Sequence, residues 1–486
     1  MRQPLRLCFF LLSGLLFSTN ASAQFRGSNL LEVQLGKLPN ESAEPFPSLY
    51  DRSILSYQYG PLRASITIEQ YYTEYSDRNY ITLSQLSLQY ITKHWDIKLG
   101  NMYETLGRGT LLRSFEIRGA ILEDLGFRSR SYFQRDILGG AVKYRTKKFS
   151  VQLMRGDVLN NLLPPIFDRT ERRSDRFNSL SADYNYFKKH KVGLVLFNFT
   201  KDRADRNFTS TSLNGPLFGN LNYYIEYSQG ITQRDQFGIY ATLNGFTGAL
   251  SYSLEYKKYQ NIILGSGVNE PPQAIKQQTY RTLNRSTHVS NPLSEDGYQV
   301  DLFYSFANGS VLNFNHALAR NSFGRNDFIF RQFFLELSSQ IATAIEFKAF
   351  LDYSIDPLKG EEDRISGGLY TDVKINQKLR LQPEIEYQIF SRDRHNVTNT
   401  YYAIGLNYNS QINLSLQLEY TTDPFLIEEN KTNRFYPGIN MRFKINQKNT
   451  ILIFGGERRG GPACNAGVCY EILDFKGIEA RWTSRF

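Results

Sequence analysis

The chain has 486 residues, with 57 Lys+Arg against 47 Asp+Glu, a formal charge of +10 and a mean hydropathy of −0.42. It is rich in Tyr (32) and Phe (35) and holds only three Cys. So polar an average excludes a bundle of membrane helices, and so few cysteines exclude a disulfide-built fold. Many aromatics on a polar chain suit a wall with one apolar face and one wet face.

The chain opens on a secretory signal pattern. Arg2 and Arg6 supply the positive start, residues 7–17 form an apolar run too short to span a bilayer, and Ala21-Ser22-Ala23 is a small-residue cleavage site. The mature chain is expected to begin at or near Gln24. Cys8 lies inside the apolar run, not after a small-residue box at its end, so no lipoprotein is expected. Without Arg2 and Arg6 the mature chain keeps 55 basic and 47 acidic residues, a charge of +8.

From there one unit recurs: an alternating strand of about ten residues, a short polar turn, a second strand, then a longer polar stretch. Residues 62–68 and 246–256 follow it, and 81–90 does so with a change of phase between Ser84 and Gln85, as a bulge allows. In 343–353 the polar face carries Glu346, Lys348 and Asp352. In 378–389 it carries Lys378, Arg380, Gln382, Glu384, Glu386 and Gln388. Residues 411–420, "QINLSLQLEY", alternate without a break. Tight turns such as "TKHW", "ANGS" and two copies of "INQK" alternate with longer segments, among them 103–135, 158–174, 201–205, 259–297, 392–397 and 458–469.

This pattern predicts an all-β protein: an antiparallel up-and-down transmembrane β-barrel of about 18–24 strands, with 24 the direct count. It would run as a single domain over 24–486, from a first strand near Asn29 to Phe486, with short periplasmic turns and long outer loops. A soluble sandwich or propeller is the competing reading. Its strands usually run five or six residues, and its packed core would not hold mid-strand charges of both signs. The last strand sets Ile478, Ala480, Trp482 and Phe486 on one face and Glu479, Arg481, Thr483 and Arg485 on the other.

The most unusual segment is 100–136, "GNMYETLGRGTLLRSFEIRGAILEDLGFRSRSYFQRD". Its cations are Arg108, Arg113, Arg118, Arg128, Arg130 and Arg135, and its acids are Glu104, Glu116, Glu123, Asp124 and Asp136. Leu111, Leu112, Ile117, Ile121, Leu122 and Leu125 make it too apolar for a freely solvated loop. Residues 103–135 are therefore expected to fold into the lumen and narrow it, with arginine forks and carboxylates selecting solutes. In "GGPACNAGVCY", Cys464 and Cys469 are a disulfide candidate. A metal site would need two further ligands and no His is near, so no metal is expected.

"GNMYETLGRGTLLRSFE" and the closing "GGPACNAGVCYEILDFKGIEARWTSRF" resemble a functionally uncharacterised family of outer-membrane β-barrels from Bacteroidota. That resemblance implies the fold and the location and carries no activity. "TSTSLNGPLFGNLNYYIEYS", with Tyr224-Ile225-Glu226-Tyr227, is similar over a short stretch to the alginate-export type of porin. Resemblance to other barrels also implies that the barrel-assembly machinery reads the terminal Phe486 together with Trp482.

Enzyme chemistry is not expected. The five His are scattered, and neither Gly-x-Ser-x-Gly nor His-x-x-x-His occurs. A TonB-dependent transporter would need a globular plug larger than 103–135. Nucleic acid is not an expected partner, because the arginines alternate with acids and form no basic stripe. No cofactor is expected, and outer-membrane lipid is the expected surrounding. The expected function is a porin-like channel passing small polar or anionic solutes through a mixed-charge lumen. The alternative is a non-conducting barrel acting as scaffold or partner subunit in secretion or surface attachment.

Overall fold

The computed structural model describes residues 24–37, 44–124, 129–159, 173, 175–187, 189–201, 204–265, 268–427, 431–465 and 468–486, without the side chains of 463–465 and 468–469. The expected signal, 1–23, lies outside the described residues.

Twenty-four strands form one sheet, from Phe25–Lys37 to Phe475–Arg485, each antiparallel to its neighbours in sequence. The sheet closes on itself. Ser28 to Lys37 of the first strand pair with Arg485 to Lys476 of the last. The upper end of the expected range is thus the count found, and the first strand begins four residues before Asn29. A closed ring leaves no unpaired strand edge, which is the condition for carrying backbone through hydrocarbon.

The alternation sorts side chains to two sides. In the strand Ser294–Ser305 the outer face reads Tyr298, Val300, Leu302, Tyr304; in His395–Tyr408 it reads Tyr402, Ile404, Leu406, Tyr408. Each is an aliphatic run bounded by tyrosines, the profile of a hydrocarbon band between two aromatic belts. Near the tight turns aromatic rings meet across strands, Phe25 5.4 Å from Tyr57 and Trp95 4.8 Å from Tyr144, and Tyr304 lies 4.8 Å from Phe306, the next residue but one. His316 lies on this outer face. Its ring stacks 4.2 Å from Phe333, and its nitrogens meet Tyr298 Oη and the Gln332 carbonyl.

The inner face changes along the barrel axis. At the turn end Glu346, Lys348 and Gln340 are exposed; further along the same faces Asp352, Ser354, Asp356, Gln332 and Phe330 are buried. The strand Leu379–Arg392 runs from exposed Arg380 to buried Glu386, Gln388 and Phe390. The lumen is therefore open to solvent at the turn end and occupied by protein at the loop end.

Two local irregularities have clear causes. Thr67 pairs with Gln85 and Ile68 with Leu83, so Ser84 is the bulged residue where the alternation changes phase. Near the seam, Gly36 faces Gly477, Gly477 faces Gly456 and Gly456 faces Gly438. This row of glycines lets four strands bend sharply where the ring closes.

Several connections expected to be long outer loops are tight. Lys201 pairs with Ala204 and Arg392 with His395. At the second, Asp393 and Arg394 both take positive φ, 47° and 66°, as a two-residue hairpin requires. These strands run past the membrane band and turn in water, where polar residues read as loop are still paired. Lys378 lies in the turn before the strand Leu379–Arg392, not on the wall, and its backbone N–H donates to Asn376 Oδ1.

At the chain end, the Phe486 N–H donates to the Gly27 carbonyl and the Gly27 N–H to the Phe486 carbonyl. Replacing Phe486 with Asp, or extending the chain beyond it, is expected to impair membrane assembly. Normal recovery of folded barrel from the outer membrane would refute this.

Candidate functional site: segments inserted in the lumen

Among the described residues, three segments leave the wall at the loop end and fold back inside it: 103–136, 261–293 and 459–474. The first is built of two small hairpins, Thr105–Leu106 with Leu112–Arg113 and Phe115–Asp124 with Ser129–Arg135. The second is mostly irregular, with one short helix, Arg281–Arg285. The third is the hairpin Gly461–Asn465 with Val468–Ile472.

Apolar contact fixes the first segment against one side of the wall. Leu106, Leu111 and Leu112 join Ile262, Leu264 and Val268 of the second segment. Together they pack on inward-facing Met154, Phe177, Phe197, Phe199 and Phe208. Each fully buried side chain of this size contributes about 1.5–3 kcal/mol. The two segments are also tied directly. The Arg113 N–H donates to the Val268 carbonyl at 2.9 Å, and Asn269 Nδ2 to the Thr110 carbonyl at 2.8 Å.

Polar contacts then orient the first segment. The turn at Gly107-Arg108 presents the Arg108 N–H to wall residue Glu226, at 2.7 Å. Gly107 has φ +57° and lies so close to the Glu226 carboxylate that a Cβ would collide with it. The Arg108 guanidinium lies over the Tyr224 ring, 4.8 Å from its centroid, and stays exposed in the lumen. Arg118 is more open still, 88% exposed, with Glu116 at 3.7 Å. Arg130 is buried and ion-paired to Glu32 of the first strand, with Glu123 at 3.6 Å. Arg52 of the wall covers the Tyr132 ring at 3.8 Å and approaches Glu116 at 3.7 Å. Arg481 of the last strand donates to Glu32 and to the Gly119 carbonyl. Arg128 lies outside the described residues.

Arg113 is half-buried, and with Arg135 it flanks Glu270 of the second segment. Burial pushes both guanidinium pKa values down, against Glu270. Burial likewise holds the Glu270 carboxyl up, against Arg135 and Arg113. All three shift toward neutrality, so desolvation outweighs attraction at this junction.

The second segment is held by wall carboxylates. Glu386 accepts the backbone N–H groups of Arg281 and Thr282, both at 2.8 Å, and the Thr282 hydroxyl at 2.6 Å. Glu419 accepts from Arg281 Nε at 2.7 Å and from both terminal nitrogens of Arg285. Tyr280 stacks on Phe350 with ring centroids 3.9 Å apart and donates to Glu336 at 2.6 Å. His288, buried under Phe330, meets Asp356 at 2.9 Å. Lys257 and Glu295, both fully buried, are ion-paired at the segment's base.

The remaining wall residues fall into two groups. Glu346, Lys348 and Glu384 line a turn-end cavity of about 460 Å³, with Asp372 and Gln382; Arg380 lies 3.0 Å from Asp372. A second turn-end cavity, about 510 Å³, is roofed by Gly119–Glu123 and Tyr470–Asp474 and walled by Arg442, Arg458, Glu479 and Arg481. Asp352 and Glu386 lie beyond these cavities, buried against the insertions. The backbone register sets Cys464 opposite Cys469, with their side chains outside the description. Trp482 lies on the outer face, 3.4 Å from Asn449. Among the described residues no cluster of His, Cys, Asp and Glu could hold a metal.

A closed 24-stranded antiparallel barrel with an apolar outer band and a polar lumen occupied by its own loops is the architecture of an outer-membrane barrel. The chain belongs to DUF6029, a family of unknown function, whose model matches residues 222–486. No curated protein matches the sequence. Among solved structures, a chain of the Escherichia coli P pilus tip assembly intermediate PapC-PapD-PapK-PapG is similar with 11% identity. That match covers 95% of this chain and 60% of that one, with a TM-score of 0.53. OpdL of Pseudomonas aeruginosa is similar with 14% identity over 68% of this chain and 94% of that one, with a TM-score of 0.39. At these identities the likeness concerns the fold alone.

Proposed function

We propose that the protein is an integral outer-membrane channel of porin type for small polar or anionic solutes, closed at its loop end until the inserted segments shift. The observation that carries this reading is the wet, mixed-charge half of the lumen, into which segment 103–136 holds the exposed guanidinium groups of Arg108 and Arg118. Cations fixed at a narrowing raise the local concentration of anions and bias which solutes pass.

Planar-bilayer recording tests it. The wild-type chain is expected to give discrete current steps with a preference for anions. Replacing both Arg108 and Arg118 with Gln should lower the anion-to-cation permeability ratio by roughly twofold or more, most clearly at low salt. Arg113→Gln, at the tight junction, should alter stability more than selectivity. A folded barrel that passes no current under any voltage would overturn the channel reading. The dense anchoring of the insertions would then favour the scaffold alternative, whose sign is a stoichiometric co-purifying partner.

A further inference from the structure

Where the helix Arg281–Arg285 meets the third segment, the lumen keeps a cavity of about 200 Å³, lined by Arg285, Arg392, Arg459, Asn399 and Glu471, among others. Most charges around it are matched. Arg392 pairs with Glu361 at 2.7 Å and Asp423 at 2.5 Å; Arg285 pairs with Glu419. Arg459 is the exception. Its Nη1 donates to Asn399 Oδ1 at 3.0 Å, its buried Nε has no hydrogen-bond partner, and no carboxylate among the described residues comes within ion-pair distance. The buried Arg392 Nε, on the same cavity, is also without a partner, as is the buried Tyr436 hydroxyl on a neighbouring strand. A buried guanidinium without an ion pair of its own is costly, even with Glu419 and Asp423 near enough to be felt, and unfilled donors on a cavity mark where an acceptor belongs.

We propose that this cavity is a binding site for a small oxyanion, a carboxylate or inorganic phosphate, held by Arg459 with Arg285 and Arg392 as flanking cations. This deepens the channel reading and rests on it for its physiological meaning, by placing an anion subsite at the loop-end closure. Burial, and then the adjacent Arg285, push the Arg459 guanidinium down to about 10; an anion in the cavity would relieve that repulsion. Of the three carboxylates on the cavity, Glu361 and Asp423 are paired with Arg392, and Glu471 would oppose an anion most directly. Burial, and then Asp474, hold its carboxyl up, which weakens the opposition. The volume of about 200 Å³ is ample for acetate or phosphate and leaves room for bridging water.

Isothermal titration of the full mature chain in detergent, at fixed ionic strength, tests the site with acetate and with inorganic phosphate. Folding of each variant is checked by heat-modifiable gel mobility. One anion per chain is expected to bind, and the arm that binds more tightly names the source. Arg459→Gln should weaken binding by about tenfold or more, the worth of a charge-assisted hydrogen bond, while Arg320→Gln, at an exposed ion pair with Asp296, leaves it unchanged. If Arg459→Gln fails the mobility check, Arg459→Lys is read by the same criterion, since it keeps the charge and loses the fork. Failure of both anions to bind, or binding that survives the folded Arg459 variant, overturns the proposal. No current enters this measurement, so a silent barrel that binds the anion sinks the channel reading alone, and a conducting barrel that does not bind sinks this site alone.

Discussion

Replacing Gly477 with alanine is expected to prevent the barrel from closing. Gly477 lies in the last strand between Gly36 of the first and Gly456 of the one before, with φ +155°. A Cβ there would strike the Leu35 carbonyl oxygen and stand 2.6 Å from the Gly36 Cα. Both obstacles are backbone of the paired strand, which cannot retreat without breaking the seam's hydrogen bonds. Strain and displacement together should cost about 3 kcal/mol or more. The check is the folded fraction after refolding into detergent, read by gel mobility, and membrane insertion in cells. Gly455→Ala, in the neighbouring strand, is the control: its Cβ would meet the Ile439 side chain at 3.4 Å, an ordinary contact. Wild-type assembly of Gly477→Ala would refute the closure argument.

The second large effect is expected at Glu419. Its carboxylate is nearly fully buried and accepts from Arg281 and Arg285, with Arg459 the next cation. Glu419→Gln keeps the shape and removes the charge, leaving two guanidinium groups without their counter-charge and with one acceptor oxygen in place of two. Removing one partner of a buried ion pair costs about 3–5 kcal/mol. The wall itself is held by backbone pairing, so the loss should fall on the inserted segment 261–293. Limited proteolysis from the loop side should then cut this segment in the variant and spare it in the wild type. Larger or longer current steps should accompany the cutting. Unchanged protease resistance together with unchanged current would show that Glu419 does not latch the segment.

The wall was legible because period two is local information. In the strand Leu379–Arg392, polar and apolar residues alternate, and one face must be wet and the other greasy whatever the neighbours are. The bulge at Ser84 was legible for the same reason, as a break in that alternation. The second inserted segment was not read. Residues 259–297 look like a long polar loop, yet Ile262, Leu264, Val268, Ile275, Tyr280 and Leu283 are buried inside the barrel. Thirty-three residues between strands with that many apolar side chains are too many for a solvated loop, and this was the available signal. Its anchors carry no local signal at all. Glu386 and Glu419 differ from other wall carboxylates only by which loop reaches them, more than a hundred positions away in sequence.

By itself, the sequence determined the strands, their two faces and an antiparallel ring, because each follows from side-chain alternation and turn chemistry within about ten residues. Only the tertiary structure decided how the ring is filled. Which arginine is buried on Glu32, which stays open as Arg118 does, and which has no ion-paired carboxylate among the described residues, as Arg459 has none, depends on where loops fold inside a closed wall. The physical reason is that desolvation and pairing are set by neighbours brought together through closure, and neighbours across a barrel leave no periodic trace along the chain.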